Sequence, residues 1–506
     1  MRKLKLLSVA MATGLVLAGC SGPASPGGGE GTETITSTSS VRPDVFDPHN
    51  TRSQYDLSFI MPLYDTLIVR DAEGQLQPGI AKDWKLSDHA KVLTLELADG
   101  RTFHDGSPID AKAVKANIEH AAAKGASTAG DFKNFDDAQA EGKSTVTLTF
   151  KKPASHMPAV LAMEAGMVAN SKYLDDPNFG KGIPEAGSGA FTFVENNNKG
   201  FTYSKWSDYH EADSVQYKKF RHIVQGDDNT RLSSIRSGQA DFGNIRLGQV
   251  EEAKSSGLQV TTNTTGSIYN MRVNASEGPL ADANLRRAIM HSLDRDSLNK
   301  NFYNGMCEPA VQIFPKNSIA YDPKFDDKKY GDFDPDEAKK ILKSSKYDGE
   351  EIEILTFSVT LYTTLAEAIQ SQLKAVGVKS KITTVETAEY RARYGSGDYQ
   401  LTVGPAEVNR PEESIYLEDA TLPGGSQYAG DFEVPGLQDA IAQSRSAIND
   451  TDRAKAFHKF NRIFQEAGPV MIPICHPQMA AASVKELKGL KVPPYYNEQY
   501  KLLSKG

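Results

Sequence analysis

His104 and Asp105 stand side by side in RTFHDGSPIDAK, Arg101–Lys112. An imidazole next to a carboxylate is the pair that activates a nucleophile in acyl transfer. The third member is missing, because a triad nucleophile sits on a recognisable turn and no G-x-S-x-G occurs. The nearest string, AGSGAF from Ala186, has alanine where the first glycine belongs. H-E-x-x-H, G-x-x-x-x-G-K, C-x-x-C and EF-hand loops are also absent. The ten histidines are scattered, with no pair at metal-ligand spacing on one helix face, so no metal centre and no cofactor is expected. Asp105–Gly106 is instead a turn signal. Asp110 then stands where the N-cap of a helix carrying Val114 and Ile118 belongs. The pair reads as a corner of the chain. Missing motifs favour a binding protein over an enzyme, while the 65 carboxylates leave room for an unmarked acid pair in a secreted hydrolase.

The elements that must position any site are of mixed type. Val92–Leu97 and Val146–Phe150 alternate apolar and polar residues, as half-buried strands do. Ala190–Trp206 reads as two strands around an Asn/Gly turn. Asp334, Pro335 and Glu337 open a helix with the pattern of a capping box. A strand at Glu351–Phe357, a helix from about Thr364 to Val376 stopped by Gly377, and a strand at Val378–Glu386 form a strand–helix–strand unit. Phe457, Phe460 and Phe464 recur at helical spacing and read as core.

The amino-terminal residues read as a leader. Arg2, Lys3 and Lys5 precede an uncharged run, Leu6–Leu17. A membrane span needs about 20 apolar residues, so residues 1–19 read as a signal peptide. LAGC, Leu17–Cys20, resembles the lipobox of bacterial lipoproteins, which implies that Cys20 is lipidated and becomes the first mature residue. Residues 20–32 are that cysteine and a Gly/Ser/Pro-rich tether. Losing the leader's three positive charges takes the formal net charge from −8 to −11. No basic run or basic-aromatic stripe marks a nucleic-acid partner. The remaining body, about 470 residues, is too large for one core and should divide into lobes. Cys307 and Cys475 read either as a disulfide, which an oxidising compartment permits, or as two buried thiols.

Leu76–Glu119 resembles the signature region of the extracellular solute-binding proteins of family 5, the peptide- and nickel-type binding subunits of ABC importers. The matching parts are Leu76-x-Pro78, Trp84-x-x-Ser87, a strand, and FHDGSP at Phe103–Pro108 before a helix. Further matches are IPEAGSGAFTF (Ile183–Phe193), LRRAIMHSLDRDSL (Leu285–Leu298), YDP (Tyr321–Pro323) and DFDPDEAKKILKSS (Asp332–Ser345). The resemblance implies an α/β clamp of the type II periplasmic-binding-protein kind with two lobes. Lobe I is placed at 33–66, 184–268 and 480–506, its extra subdomain at 67–183, and lobe II at 269–479. Crossovers are expected near Ser267–Asn274 and Met479–Val484, with the ligand between the lobes.

The resemblance also implies ligand contacts. In peptide-binding relatives an aspartate in a Trp-x-x-Asp-x-x-x-Pro loop holds the peptide ammonium. Here GPAEVNRPEES puts Gly404 in the tryptophan's place and Glu407 in the aspartate's, which keeps a carboxylate and removes a stacking surface. Asn409, Arg410, Tyr269 and Asn270 complete the expected ligand-binding set. Dipeptide binders carry an arginine where Thr363 and Thr364 stand here, which argues against a strict dipeptide binder, since a buried carboxylate without its partner is costly. Arg410, Arg391 and Arg393 are the candidate substitutes. His476 is the histidine to test for a nickel-chelate ligand. The expectation is therefore an inert, monomeric, lipid-anchored subunit that binds oligopeptides for partner permeases and ATPases. A metallophore or other solute, or a signalling role for the same cleft, stay open as alternatives.

Overall fold

The structure, a computed structural model, describes residues 33–506 apart from residues 52–53, 199, 327–329, 407–411, 426, 428–431 and 495–499. The leader, Cys20 and the tether lie outside the described residues.

The elements used below are, in chain order, β1 (Thr34–Ser39), α1 (Ala111–Ala122), β2 (Phe242–Ile245), β3 (Gln259–Thr264), β4 (Tyr269–Val273), β5 (Cys307–Pro309), β6 (Ile352–Phe357), α2 (Thr360–Val376), β7 (Ser380–Val385), α3 (Thr387–Ser396), β8 (Leu401–Val403), α4 (Glu413–Thr421), α5 (Asp450–Glu466) and β9 (Met471–Ser483). Strand β9 is the longest of these strands. Its first half pairs antiparallel with β4 and β5, and its second half with β2 and β3. Two mixed sheets therefore share one strand. The first continues from β2 to β1, which runs parallel to Lys219–Val224, and on to the hairpin Phe191–Asn197/Gly200–Lys205. The second continues from β4 to β8, β6 and β7. The architecture is the expected α/β clamp of two lobes.

Each half has its own core. Phe59, Phe191, Phe201, Tyr203 and Phe220 fill the first. Ile352, Ile354, Leu365, Ile369, Leu373 and Leu401 fill the second, where α2 covers β6. Phe457, Phe460 and Phe464 of α5 are buried against Leu437, Ile441 and Tyr416, so the aromatic stripe is core. A separate four-stranded antiparallel sheet, containing Val92–Leu97 and Thr145–Phe150, packs Leu93, Leu95, Val146 and Leu148 on Val114, Ile118 and Ala121 of α1.

Two local expectations shift. Helix α2 begins at Thr360, and Thr363 and Thr364 turn their hydroxyls back to the Thr360 carbonyl, which lets threonines sit in its first turns. Asp334 caps its helix by accepting from the N–H groups of Asp336 and Glu337. Glu337 pairs with Lys340 and closes no capping box, because the Asp334 N–H is already given to the His291 carbonyl. Cys307 and Cys475 are joined as a disulfide between β5 and β9, with Cα atoms 5.5 Å apart.

His104 and Asp105 form a corner. Gly106 takes φ +81°, which a side chain would strain, and Asp110 accepts from the Ala113 N–H at 3.0 Å as the cap of α1. Against the upward push of slight burial, hydrogen bonds from Lys172 and Ser107 hold the Asp105 carboxyl well below the usual carboxylate range. The His104 N–H donates to the Gly187 carbonyl, its Nε2 lies 2.9 Å from the Gly189 carbonyl, and its ring meets Trp206 at 4.8 Å. FHDGSP and AGSGAF, two motifs that resembled the family, thus lock together and seat the four-stranded sheet on the first lobe. A Cβ at position 187 would lie 2.3 Å from the His104 ring and 2.6 Å from the Leu63 carbonyl. Replacing His104→Ala takes the imidazole partner from the Gly189 carbonyl and the ring from Trp206, and should lower stability by about 1–3 kcal/mol, with Gly187→Ala acting in the same direction. Thermal melting together with ligand titration checks this: a lower melting temperature with affinity kept is expected, and lost activity at an unchanged melting temperature would mark a chemical role.

Candidate functional site

The chain crosses between the sheets twice, once in residues 265–268 and once within β9. Pro477 of β9 still faces Cys307 of β5, whereas Gln478 faces Thr264 of β3. Pro473 and Pro477 have no N–H to offer a ladder, and a bulge falls where Asn270 faces Pro473 while Tyr269 faces Cys475. Bulges re-aim side chains, and this one sets the two residues expected in the site. The Tyr269 ring lies 4.7 Å from that of Tyr303 and its hydroxyl hydrogen-bonds Tyr362 in the first turn of α2. Phe357, at the end of β6, links Tyr362 to Tyr390 of α3 at 4.7 and 5.0 Å. Asn270 is only 5 % exposed, and its side-chain oxygen has no hydrogen-bond partner among the described residues. The Tyr303 hydroxyl is also buried without one, and burial pushes its pKa up. An aromatic wall with two unanswered polar atoms therefore stands at the first crossover.

Gly404 follows β8, which puts it on the same wall. A Cβ there would come within 2.2 Å of the Tyr390 hydroxyl. The buried Tyr390 of α3 thus fills the space beside position 404. Glu407, Asn409 and Arg410 lie outside the described residues. The next described residue, Glu412, is 1 % exposed, accepts from the Ile415 N–H at 3.0 Å to cap α4, and pairs with Arg453 of α5. Glu413 accepts from the Ser318 hydroxyl at 2.7 Å. Burial and the neighbouring Glu412 push the Glu413 carboxyl above its ordinary value. Among the described residues the Arg453 Nε has no partner. Glu413, Arg453 and Ser318 form one wall of a cavity of about 460 Å³ whose other wall is Arg70, Leu76, Trp84 and Leu86 of the subdomain sheet region. That size suits a small ligand, and the cavity touches both sides of the molecule.

Other candidates are placed elsewhere. Arg393 is held by Glu353 at 2.7 Å and Asp398 at 3.1 Å, so it is not free to receive a ligand carboxylate. Arg391 is exposed on α3. His476 is buried, with Nδ1 3.0 Å from the Ser267 carbonyl, and burial lowers its pKa. It borders a cavity of about 490 Å³ lined by residues 293–334 and itself, and so faces the second lobe alone. Spacing could not have found Tyr303, Tyr362, Tyr390, Trp84 or Arg453, which meet only through the sheets. The consecutive acids of PEES were the one visible signal.

The second lobe touches the subdomain directly. Ser155 donates its N–H to the Arg445 carbonyl at 3.0 Å and its hydroxyl to the Ser444 carbonyl at 2.8 Å. Ile415 of α4 packs into the core around α1, and Lys133 reaches Asp419 at 3.8 Å. His156, in the same contact, is held well below its ordinary value of 6.5 by burial and by the charges of Arg445 and Arg453, with Glu418 opposing them.

Comparison with known proteins fits this geometry. The family described as bacterial extracellular solute-binding proteins, family 5 Middle, matches residues 75–427. The chain is 26 % identical over 369 residues to the probable peptide ABC transporter periplasmic-binding protein y4tO of Sinorhizobium fredii (strain NBRC 101917 / NGR234), covering 67 % of this chain and 68 % of that one. It is 24 % identical over 489 residues to the glutathione-binding protein GsiB of Escherichia coli O1:K1 / APEC, covering 89 % and 90 %. HbpA2 from Haemophilus parasuis has the same fold, with a TM-score of 0.83 at 20 % identity over 94 % of this chain and all of that one.

A depressed histidine makes the contact sensitive to acid. The closed arrangement binds fewer protons at His156 than an opened or unfolded chain, so its contribution is complete above about pH 6.5 and is lost as pH falls below that. Small-angle scattering of the liganded protein should show the compact form at pH 7.5 and expansion toward pH 5, with His156→Gln staying compact to lower pH. A variant that expands in step with the unmodified protein would remove His156 from the account.

Proposed function

This chain belongs to the bacterial extracellular solute-binding proteins, family 5, and from that premise we propose that it captures short peptides between its lobes as the lipid-anchored subunit of an ABC importer. It works outside the cytoplasm, as the family does. The observation that carries the peptide reading is the pair of relatives spanning two thirds or more of the chain, both named for peptide-type ligands. The site chemistry supports it. Asn270 and Tyr303 offer unanswered polar atoms to a peptide backbone, and Tyr269, Tyr362 and Tyr390 offer apolar surface. Strand-like backbone bonds with roomy pockets can hold peptides of varied sequence. In this reading Glu407 pairs with the peptide ammonium, and Asn409 and Arg410 line the same loop.

Capture works by closure. Moving a clamp from 1 % to 99 % closed requires the ligand to prefer the closed form by about 10⁴-fold, which a peptide touching both lobes can supply and one touching a single lobe cannot. The reading keeps lobe I at 33–66, 184–268 and 480–506, the subdomain at 67–183 and lobe II at 269–479. Cys20 carries the lipid, the tether holds a single copy above the membrane, and permease and ATPase subunits move the released peptide. In this reading the chain performs no catalysis, and Glu412 serves its cap and Arg453.

Native mass spectrometry of the protein purified from its own host, followed by denaturation, tests the reading. A mixture of short peptides, retained less well by Glu407→Gln, is expected. A single non-peptide mass or a metal chelate would overturn the peptide ligand, and conversion of added peptides to products would overturn the absence of catalysis.

A further inference from the structure

Asp47, His49 and His120 come together, although 71 residues separate the two histidines in sequence. One potential ligand atom from each lies within 4.8 Å of the other two. His49 is fully buried, and its Nε2 lies 3.1 Å from the Met167 carbonyl, an acceptor only. Nε2 therefore carries the proton, and the other ring nitrogen, Nδ1, presents a lone pair. That lone pair points at Nδ1 of His120, 2.8 Å away, in the last turn of α1. Asp47 sets the loop by accepting from the His49 N–H at 2.9 Å and the Asn50 side chain, and its carboxylate has capacity for a further partner.

We infer that these three side chains form a site for a divalent ion of the zinc type, one that ties the segment leaving β1 to helix α1. Two imidazoles and a carboxylate are a zinc donor set, leaving one position for water. A histidine ligand that gives its second nitrogen to a backbone carbonyl has the orientation metal sites require. Ligand nitrogens on a tetrahedral ion stand about 3.3 Å apart, so entry of the ion asks His120 to move outward by about half an ångström. His120 is only partly buried, which permits that movement and gives the ion a way in.

The test is calorimetric titration of ZnCl2 into the purified chain after chelator treatment, with thermal melting. One ion per chain and a raised melting temperature are expected. Asp47→Asn keeps the loop acceptor and His120→Gln keeps a donor to His49, yet each should weaken zinc binding at least ~10-fold. X-ray absorption of the zinc-loaded unmodified protein supplies a readout independent of the variants and should show two imidazole nitrogens with oxygen. No stoichiometric binding, affinity unchanged in both variants, or a first shell without imidazole would each overturn the site.

Discussion

Strand β9 exchanges backbone hydrogen bonds with two sheets in succession, and the placement of Tyr269 and Asn270 follows from that sharing. Its thirteen residues face β4 and β5 at one end and β2 and β3 at the other. A backbone polar group buried without a partner is expensive, so a strand that leaves one ladder must enter another at once. The two prolines and the bulge mark where the first ladder lets go. Tyr269 and Asn270 are aimed by that irregularity. The disulfide between β5 and β9 anchors the same end covalently.

Around this shared strand, the motifs that look most chemical are structural. His104 and Asp105 join the four-stranded sheet to the first core, with the His104 Nε2 directed at the Gly189 carbonyl and the Asp105 carboxylate at Lys172, Ser107 and Asn170. Carbonyls of Gly187 and Gly189 can approach because neither residue carries a Cβ. Buried polar atoms with no partner among the described residues lie elsewhere, those on Asn270, Tyr303 and Arg453 among them. Unanswered buried groups are tolerated where something arrives to satisfy them, and Arg453 lines the cavity that the subdomain sheet region also borders.

The buried charges divide in the same way. Glu412 is locked by a cap and by Arg453, which leaves Glu413 beside it with a carboxyl pushed toward the neutral form. Arg393 is spent on Glu353 and Asp398. His156, pressed between Arg445 and Arg453, couples protonation to the contact between lobe and subdomain. Charge in this protein thus serves the joints between its parts as much as the ligand.

Much of the fold was legible in the residues. Alternation in Val92–Leu97 and Thr145–Phe150, the Asp110 and Asp334 caps, the Gly377 stop and the aromatic stripe of α5 are local, because period and capping depend on neighbours within a turn or two. The corner at His104 was legible for the same reason. The tyrosine wall, the Glu413–Arg453 cavity and the Asp47–His49–His120 cluster were not, since each joins residues from separate elements. Their spacing in sequence carries no period that could betray them. The sequence by itself determined the elements, their caps and the family pattern, which are set by short-range sterics and hydrogen bonds. Only the tertiary structure decided which side chains face one another, because strand order, the shared β9 and its bulge are consequences of long-range pairing.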